Sequence, residues 1–467
     1  MKALHLTPEP RHHSPAWKPY SVLLTLTILC LLTTVQAQDT TRYFGRIYPD
    51  SNNSLMLTLQ QVKDNDTVRY WLGSPDQTAE WFPISKATIL DDSVKLRIKS
   101  LGATLTGRFD KSHERLEGKF LQNFQIFPVL LERYYGDSPY RRPQTPQPPF
   151  PYHTKEVTFC NPNTPYLFHG TLTLPKDTMT MEQARQSLQR NMLGGNTNPA
   201  SALKHPAVVL VSGSGCQDRD ETIYAHKPFA VIADQLTRKG IIVLRYDDRG
   251  YGSNDTNLYA GTTADFADDA RCAIAFLKTI SEVDTSKIGI IGHSEGGLIA
   301  EMLAAKQEVD FAILMAAPAI SGKDVLATQT RYILEKQGID EATIIKSIKQ
   351  NEELCKQTNS INTRWLNYFA KCDPKPLLRQ IRRHRVPTLV LQGDKDCQVL
   401  PAPNLRAMQR YLNNSSVTIR VYSDRNHLFQ PCTTGLPSEY STIETTIDLQ
   451  VVLDMAAFIQ WQQIIGE

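Results

Sequence analysis

Ile288-Gly289-Ile290-Ile291-Gly292-His293-Ser294-Glu295-Gly296-Gly297-Leu298 is the stretch on which the fold turns. An isoleucine-rich run with the character of a buried strand enters a Gly-x-Ser-x-Gly turn and leaves as an apolar, small-residue helix. The residues two before and two after the serine must be nearly free of side chain for the chain to pass so sharply. Such a turn lifts the serine hydroxyl clear of a sheet and sets it at a helix N-terminus, where unpaired backbone N–H groups favour negative charge. A bare Gly-x-Ser-x-Gly arises often by chance. The strand before it and the helix after it give this one its meaning.

Outward from this turn, residues after Thr154 alternate short apolar runs with helical segments, which predicts a mostly parallel sheet covered on both faces. The runs are Ala207 to Val211, Ile241 to Leu244, Ile288 to Ile291, Phe311 to Met315, Thr388 to Leu391 and Val417 to Tyr422. A helix opens at Pro228, carries Phe229, Ile232, Ala233 and Leu236 on one stripe, and stops at Gly240. Others begin near Thr263 and run from about Asp448 to Ile465. Thr178 to Lys204 reads as a polar, loop-rich insertion, and residues 321–385 as a helical cap between two strands. The expected class is thus an α/β fold with a cap, over residues 155–467.

Upstream the period changes to two. Leu55, Leu57 and Leu59, then Val94, Leu96 and Ile98, then Phe127, Val129 and Leu131 each alternate with other residues, and Asn- and Asp-rich clusters separate the runs. Residues 39–135 are therefore expected to form a small antiparallel β domain, and the proline-rich residues 136–154 an extended linker. Before them, a leader with Lys2, Arg11 and Lys18 precedes an apolar run from Ser21 to Val35, and Val35-Gln36-Ala37 suits a small-residue cleavage rule. This reads as a signal peptide over residues 1–37, cleaved near Ala37, for a secreted or periplasmic protein without stable membrane insertion afterwards; an uncleaved anchor is the alternative.

The formal net charge of +3 falls to +1 without the leader, since Lys2, Arg11, Lys18 and Glu9 leave with it. That balance implies no nucleic-acid partner. Beyond the leader stand Cys160, Cys216, Cys272, Cys355, Cys372, Cys397 and Cys432, with no close pair of the metal-binding or redox kind. Cys355 with Cys372, or Cys397 with Cys432, are the candidate pairs in an oxidising compartment.

A serine hydroxyl becomes a good nucleophile only when a base takes its proton, and a carboxylate must orient that base. Downstream of Ser294, the strand Thr388 to Leu391 runs into Gln392-Gly393-Asp394-Lys395-Asp396, which nominates Asp396 as the acid, with Asp394 its rival. The strand Val417 to Tyr422 runs into Ser423-Asp424-Arg425-Asn426-His427, which nominates His427 as the base. The oxyanion donors are expected to be the amide of Glu295 and that of Ser214, with Gly215 next, in the loop Ser212-Gly213-Ser214-Gly215-Cys216. Trp365, Tyr368 and Phe369 in the cap are candidates to line a substrate pocket, though their helical spacing suits cap packing equally well. The run Asp218-Arg219-Asp220-Glu221 suggests a metal site at first sight. An ion-paired turn bracing the oxyanion loop, with Arg249 as a partner, is the stronger reading, and no metal is expected.

These stretches, together with Leu244-Arg245-Tyr246-Asp247-Asp248-Arg249-Gly250, resemble the α/β-hydrolase superfamily and in particular bacterial carboxylesterases of the EstD-like, dienelactone-hydrolase-related group. The resemblance covers about two-thirds of the chain. It implies hydrolysis of small-molecule acyl esters through an acyl-enzyme, without metal or organic cofactor. Cys216 departs from the group's usual proline. Three alternatives stay open: a peptidase of the prolyl-oligopeptidase type, a thioesterase or acyltransferase, and a non-catalytic envelope binding protein. Against the first, the β domain is too short for the propeller such peptidases carry. The oligomeric state is not legible.

Overall fold

A computed structural model describes residues 39–48, 55–64, 67–75, 81–122, 125–135, 140–176, 204–251 and 261–465. The expected leader and the insertion at 178–204 lie outside the described residues, apart from Lys204.

The period-two segments form nine antiparallel strands: β1 (Asp39–Ile47), β2 (Leu55–Asp64), β3 (Thr67–Gly73), β4 (Trp81–Pro83), β5 (Lys86–Leu90), β6 (Ser93–Ile98), β7 (Ala103–Phe109), β8 (Arg115–Gln122) and β9 (Gln125–Tyr134). Their order is β4-β3-β2-β1-β9-β8-β7-β6-β5. The two edge strands are consecutive in the chain, and Ile84 N–H bonds back to Tyr70 of β3 while Ser85 N–H bonds to Arg97 of β6. The chain thus passes straight from one edge of the sheet to the other, bonded to both, and the sheet curls into a small barrel. Alternate side chains, including Tyr43, Leu59, Leu72, Leu96, Leu105, Leu116 and Leu131, fill its interior.

The proline-rich segment does more than span a gap. The Arg142 guanidinium donates to the carbonyls of Tyr224, Ser441 and Ile443, and Gln144 pairs with the backbone of Ile447. The segment is thereby fastened to the second domain.

That domain holds an eight-stranded sheet, ordered β10-β11-β13-β12-β14-β15-β16-β17. Its strands are β10 (His153–Cys160), β11 (Leu167–Leu174), β12 (His205–Val211), β13 (Ile242–Tyr246), β14 (Val283–His293), β15 (Phe311–Met315), β16 (Thr388–Gly393) and β17 (Val417–Tyr422). The six apolar runs of the sequence are β12 to β17, all parallel. β10 and β11 form an antiparallel hairpin at one edge that hydrophobic patterning did not reveal. β17 lies at the other edge, so its residues alternate between half-buried and exposed.

Strand residues feed two cores by turns. Ala207, Val209 and Val211 face one, and Val208 and Leu210 the other. The first core is covered by α2 (Thr263–Leu277), α3 (Glu295–Ala305), α7 (Lys375–His384) and α8 (Pro401–Tyr411), the second by α1 (Pro228–Thr237) and α9 (Leu449–Ile465). Between β15 and α7 stand α4 (Gly322–Lys336), α5 (Glu341–Leu354) and α6 (Ile361–Lys371). These three make the cap. The segment expected to be all cap thus ends in α7, whose Leu378 and Ile381 are buried in the sheet's own core. Among the described residues no helix is long and apolar enough to cross a membrane, and no disulfide forms.

The passage of α3 beneath β12 is where glycine is indispensable. A Cβ on Gly296 would sit 2.2 Å from the Val211 carbonyl oxygen, and one on Gly292 would sit 2.0 Å from that of Gly296. Gly296→Ala is expected to give insoluble or unfolded protein, which soluble yield and circular dichroism will show.

Glu301 of α3 is fully buried, and neither carboxyl oxygen has a partner among the described residues. Burial holds its carboxyl well above the usual range. Below that range the folded and unfolded chains both keep the proton. Above it the unfolded chain ionises first, so stability falls as pH rises toward the folded value. Glu301→Met is expected to be more stable near neutral pH by about 1–3 kcal/mol. Denaturant midpoints across pH test this: the advantage should widen from mildly acidic to neutral buffer, and a constant difference contradicts it.

Candidate active site

Ser294 stands between β14 and α3 with φ 54° and ψ −118°. A non-glycine residue holds such a left-handed backbone only where its surroundings enforce it. Here they do: Ser294 N–H bonds the Met315 carbonyl of β15 and its own carbonyl accepts from Gly297 N–H, both at 2.9 Å.

The nominated acid and base, Asp396 and His427, lie just beyond β16 and β17. Asp396, just beyond β16, is 1% exposed. Its Oδ1 accepts from the amides of Gln398 and Val399, and its Oδ2 accepts from Gln392 Nε2 and from His427 Nδ1, the last at 2.8 Å. Since a carboxylate only accepts, His427 carries its proton on Nδ1 and presents a lone pair on Nε2. The loop bearing His427 is held in shape by Asn426, whose Oδ1 accepts from Leu428 and Gln430 amides. The rival carboxylate Asp394 accepts instead from the Asp424 amide and holds that turn.

Ser294 and His427 both line a cavity of about 310 Å³ under the cap. Gly213 and Ser214 border it, as do Val325, Leu326 and Gln329 of α4 and Trp365 and Phe369 of α6. Among the described residues no acceptor is bonded to the amide of Ser214 or of Glu295. The Ser214 hydroxyl donates to Glu295 Oε2 at 2.7 Å, which ties the two donor residues together. Gly215 instead borders a small cleft on the far side of this loop, beside Asp248 and Asp269. Tyr368 is a correction to the expected pocket. It does not border the cavity and is 37% exposed, because α6 turns only the Trp365–Phe369 face inward and stacks those rings 5.6 Å apart.

Two buried carboxylates were given no role of their own by the sequence. Glu295 lies at the centre of the site's scaffold, accepting from Thr263, Ser214 and the indole N–H of Trp365. Burial raises its carboxyl, which those hydrogen bonds only partly offset. Glu221 accepts from the Gly213 amide and from His293 Nδ1. The charged run before it is an ion-paired turn, as expected: Arg219 pairs with Asp247 and Glu156, and Asp220 with Arg245 and Lys227. Arg249 is not one of its partners; it is drawn to Asp269 on α2. The Cys216 thiol donates to the Arg249 carbonyl at 3.6 Å.

Residues 225–430 match the family model described as serine aminopeptidase, S33. Esterase EstD of Thermotoga maritima is 30% identical over 240 residues, which are 50% of this chain and 57% of that protein. The chain thus spans little more than half the length of this curated relative. Similar solved structures include a Pyrococcus furiosus esterase, 14% identical, covering 70% of this chain and 98% of that one at a TM-score of 0.42. Another is Est1E of Butyrivibrio proteoclasticus with ferulic acid bound, 15% identical over 66% and 99% of the two chains at 0.42. A puromycin hydrolase covers 91% of this chain and 54% of its own, 14% identical at 0.42. By its sheet order, its strand-to-helix turn and its match to the EstD esterase, the chain resembles the α/β-hydrolase superfamily.

Proposed function

We propose that this chain is a serine hydrolase that cleaves small-molecule carboxylic esters through an acyl-enzyme, with Ser294, His427 and Asp396 as its triad. One observation carries the reading: a serine on a strained turn shares a cavity with a buried histidine whose Nδ1 is bonded to a buried aspartate. Ser294 Oγ attacks the ester carbonyl as its proton passes to His427 Nε2. The amides of Ser214 and Glu295 receive the negative oxygen of the tetrahedral intermediate. The intermediate collapses by breaking the bond to the alcohol oxygen, which leaves with the proton from His427. Water, deprotonated by the same nitrogen, then attacks the acyl-serine and releases the acid.

An ester substrate suits the cavity better than a peptide's free amino end. An ammonium group needs a carboxylate to receive it, and the one carboxylate among the described lining residues, Glu221, is already bonded to His293. The walls are mostly apolar, with Gln217, Gln329 and Gln398 as neutral polar groups. A volume near the lower end for ligand pockets favours compact, uncharged acyl esters. The basic and apolar leader supports export of the enzyme.

A chromogenic ester series of increasing acyl length tests the reading. Wild type should turn over the shorter esters and react with a fluorophosphonate, Ser294→Ala should do neither, and Asp396→Asn should lose about ten-thousand-fold in kcat. Absence of turnover on every ester would remove the esterase assignment, and activity confined to peptides would favour the aminopeptidase reading.

Trp365→Phe keeps the stacked ring but deletes the indole N–H that joins the cap to Glu295. It is expected to lower stability by about 1–3 kcal/mol and to raise KM several-fold while kcat changes little, as steady-state kinetics and thermal melts will reveal.

A further inference from the structure

We propose that Glu221 and His293 form a positioning pair for the esterase site, a buried carboxylate–imidazolium contact that fixes the oxyanion loop and the His427 loop relative to Ser294. The inference rests on the triad reading above and adds residues that take no part in the bond-making steps.

The proton count is set by geometry. His293 Nδ1 lies 2.8 Å from Glu221 Oε1, and His293 Nε2 lies 3.0 Å from the His427 carbonyl oxygen. A carboxylate and a carbonyl only accept, so beside an ionised Glu221 each ring nitrogen donates, as an imidazolium does. Glu221 and His293 are each 4% exposed, which makes the opposite charges indispensable to one another. Burial pushes the His293 ring toward neutrality, but the Glu221 charge and hydrogen bond, aided by the His427 carbonyl and more distant Asp396, raise it on balance.

The same carboxylate oxygen that holds His293 accepts the Gly213 amide at 2.8 Å. Gly213 abuts the nucleophile, since a Cβ built on it would lie 3.2 Å from Ser294 Cβ. One unbroken chain of contacts therefore runs from the oxyanion loop through Glu221 and His293 to the backbone of the base. His293 immediately precedes Ser294, and its ring centre lies 4.7 Å from that of His427. Glu221 itself has a φ of 54°.

The test compares Glu221→Ala, Glu221→Gln and Ser294→Ala in the full chain, on the best ester of the chromogenic series. Fluorophosphonate titration counts competent sites, so kcat is expressed per site and a fold defect lowers the count instead. Glu221→Ala is expected to lose about 10–100-fold in kcat per site with KM within about two-fold. Glu221→Gln has a carbonyl that still accepts from Gly213, but it leaves the imidazolium uncompensated. It should recover part of the loss, and it keeps the test open if Glu221→Ala does not fold. Wild-type kcat per site in both variants, with the damage confined to thermal stability, would overturn the positioning role alone. Esterase activity and labelling that survive Ser294→Ala would overturn the triad reading and this inference with it.

Discussion

At Ser294 the chain passes from strand to helix within one residue, and the distances that matter to the site are set from that point. The turn closes only because α3 slides under β12 with carbonyl oxygens where side chains would otherwise be. This close passage brings the first turn of α3 level with the loop after β12. The Ser214 hydroxyl then reaches the Glu295 carboxylate. The parallel register of β14, β15, β16 and β17 does the rest, delivering Asp396 and the His427 loop to the same sheet end. Ligands gather at that end in open α/β sheets because the connecting loops are free to vary there while the strands stay fixed.

What the sequence disclosed follows from how local each signal is. The parallel strands were legible because they are short and largely apolar, and the helix from Pro228 because proline and glycine mark its ends. Ser294, Asp396 and His427 were nominated because each directly follows such a strand. The hairpin β10–β11 escaped because an antiparallel edge has no run of apolar residues to announce it. Barrel closure escaped too, since it depends on Ile84 and Ser85 bonding to strands on opposite sides, a contact without sequence signature. Tyr368 was misjudged because three aromatics at helical spacing do not say which of them faces inward. Glu221 was seen only as one charge in a run of four; its pairing with His293, distant in sequence, is a property of the folded loops.

Three buried glutamates near the nucleophile helix show three ways to treat a charge removed from water. Glu221 keeps its charge beside an imidazolium. Glu295 is met by neutral donors only, from the oxyanion loop, α2 and the cap, and burial raises its carboxyl accordingly. Glu301 has no partner among the described residues, and burial alone raises its carboxyl well above the usual range. A fixed charge pair restrains geometry most strongly, because moving either member leaves a buried charge unbalanced. It stands between the loop after β12 and the loop bearing His427. The hydroxyl and indole bonds to Glu295 are individually weaker, which suits a junction with a cap that must admit substrate and release product. Glu301 is part of neither the oxyanion contacts nor the base loop, and its cost falls on stability.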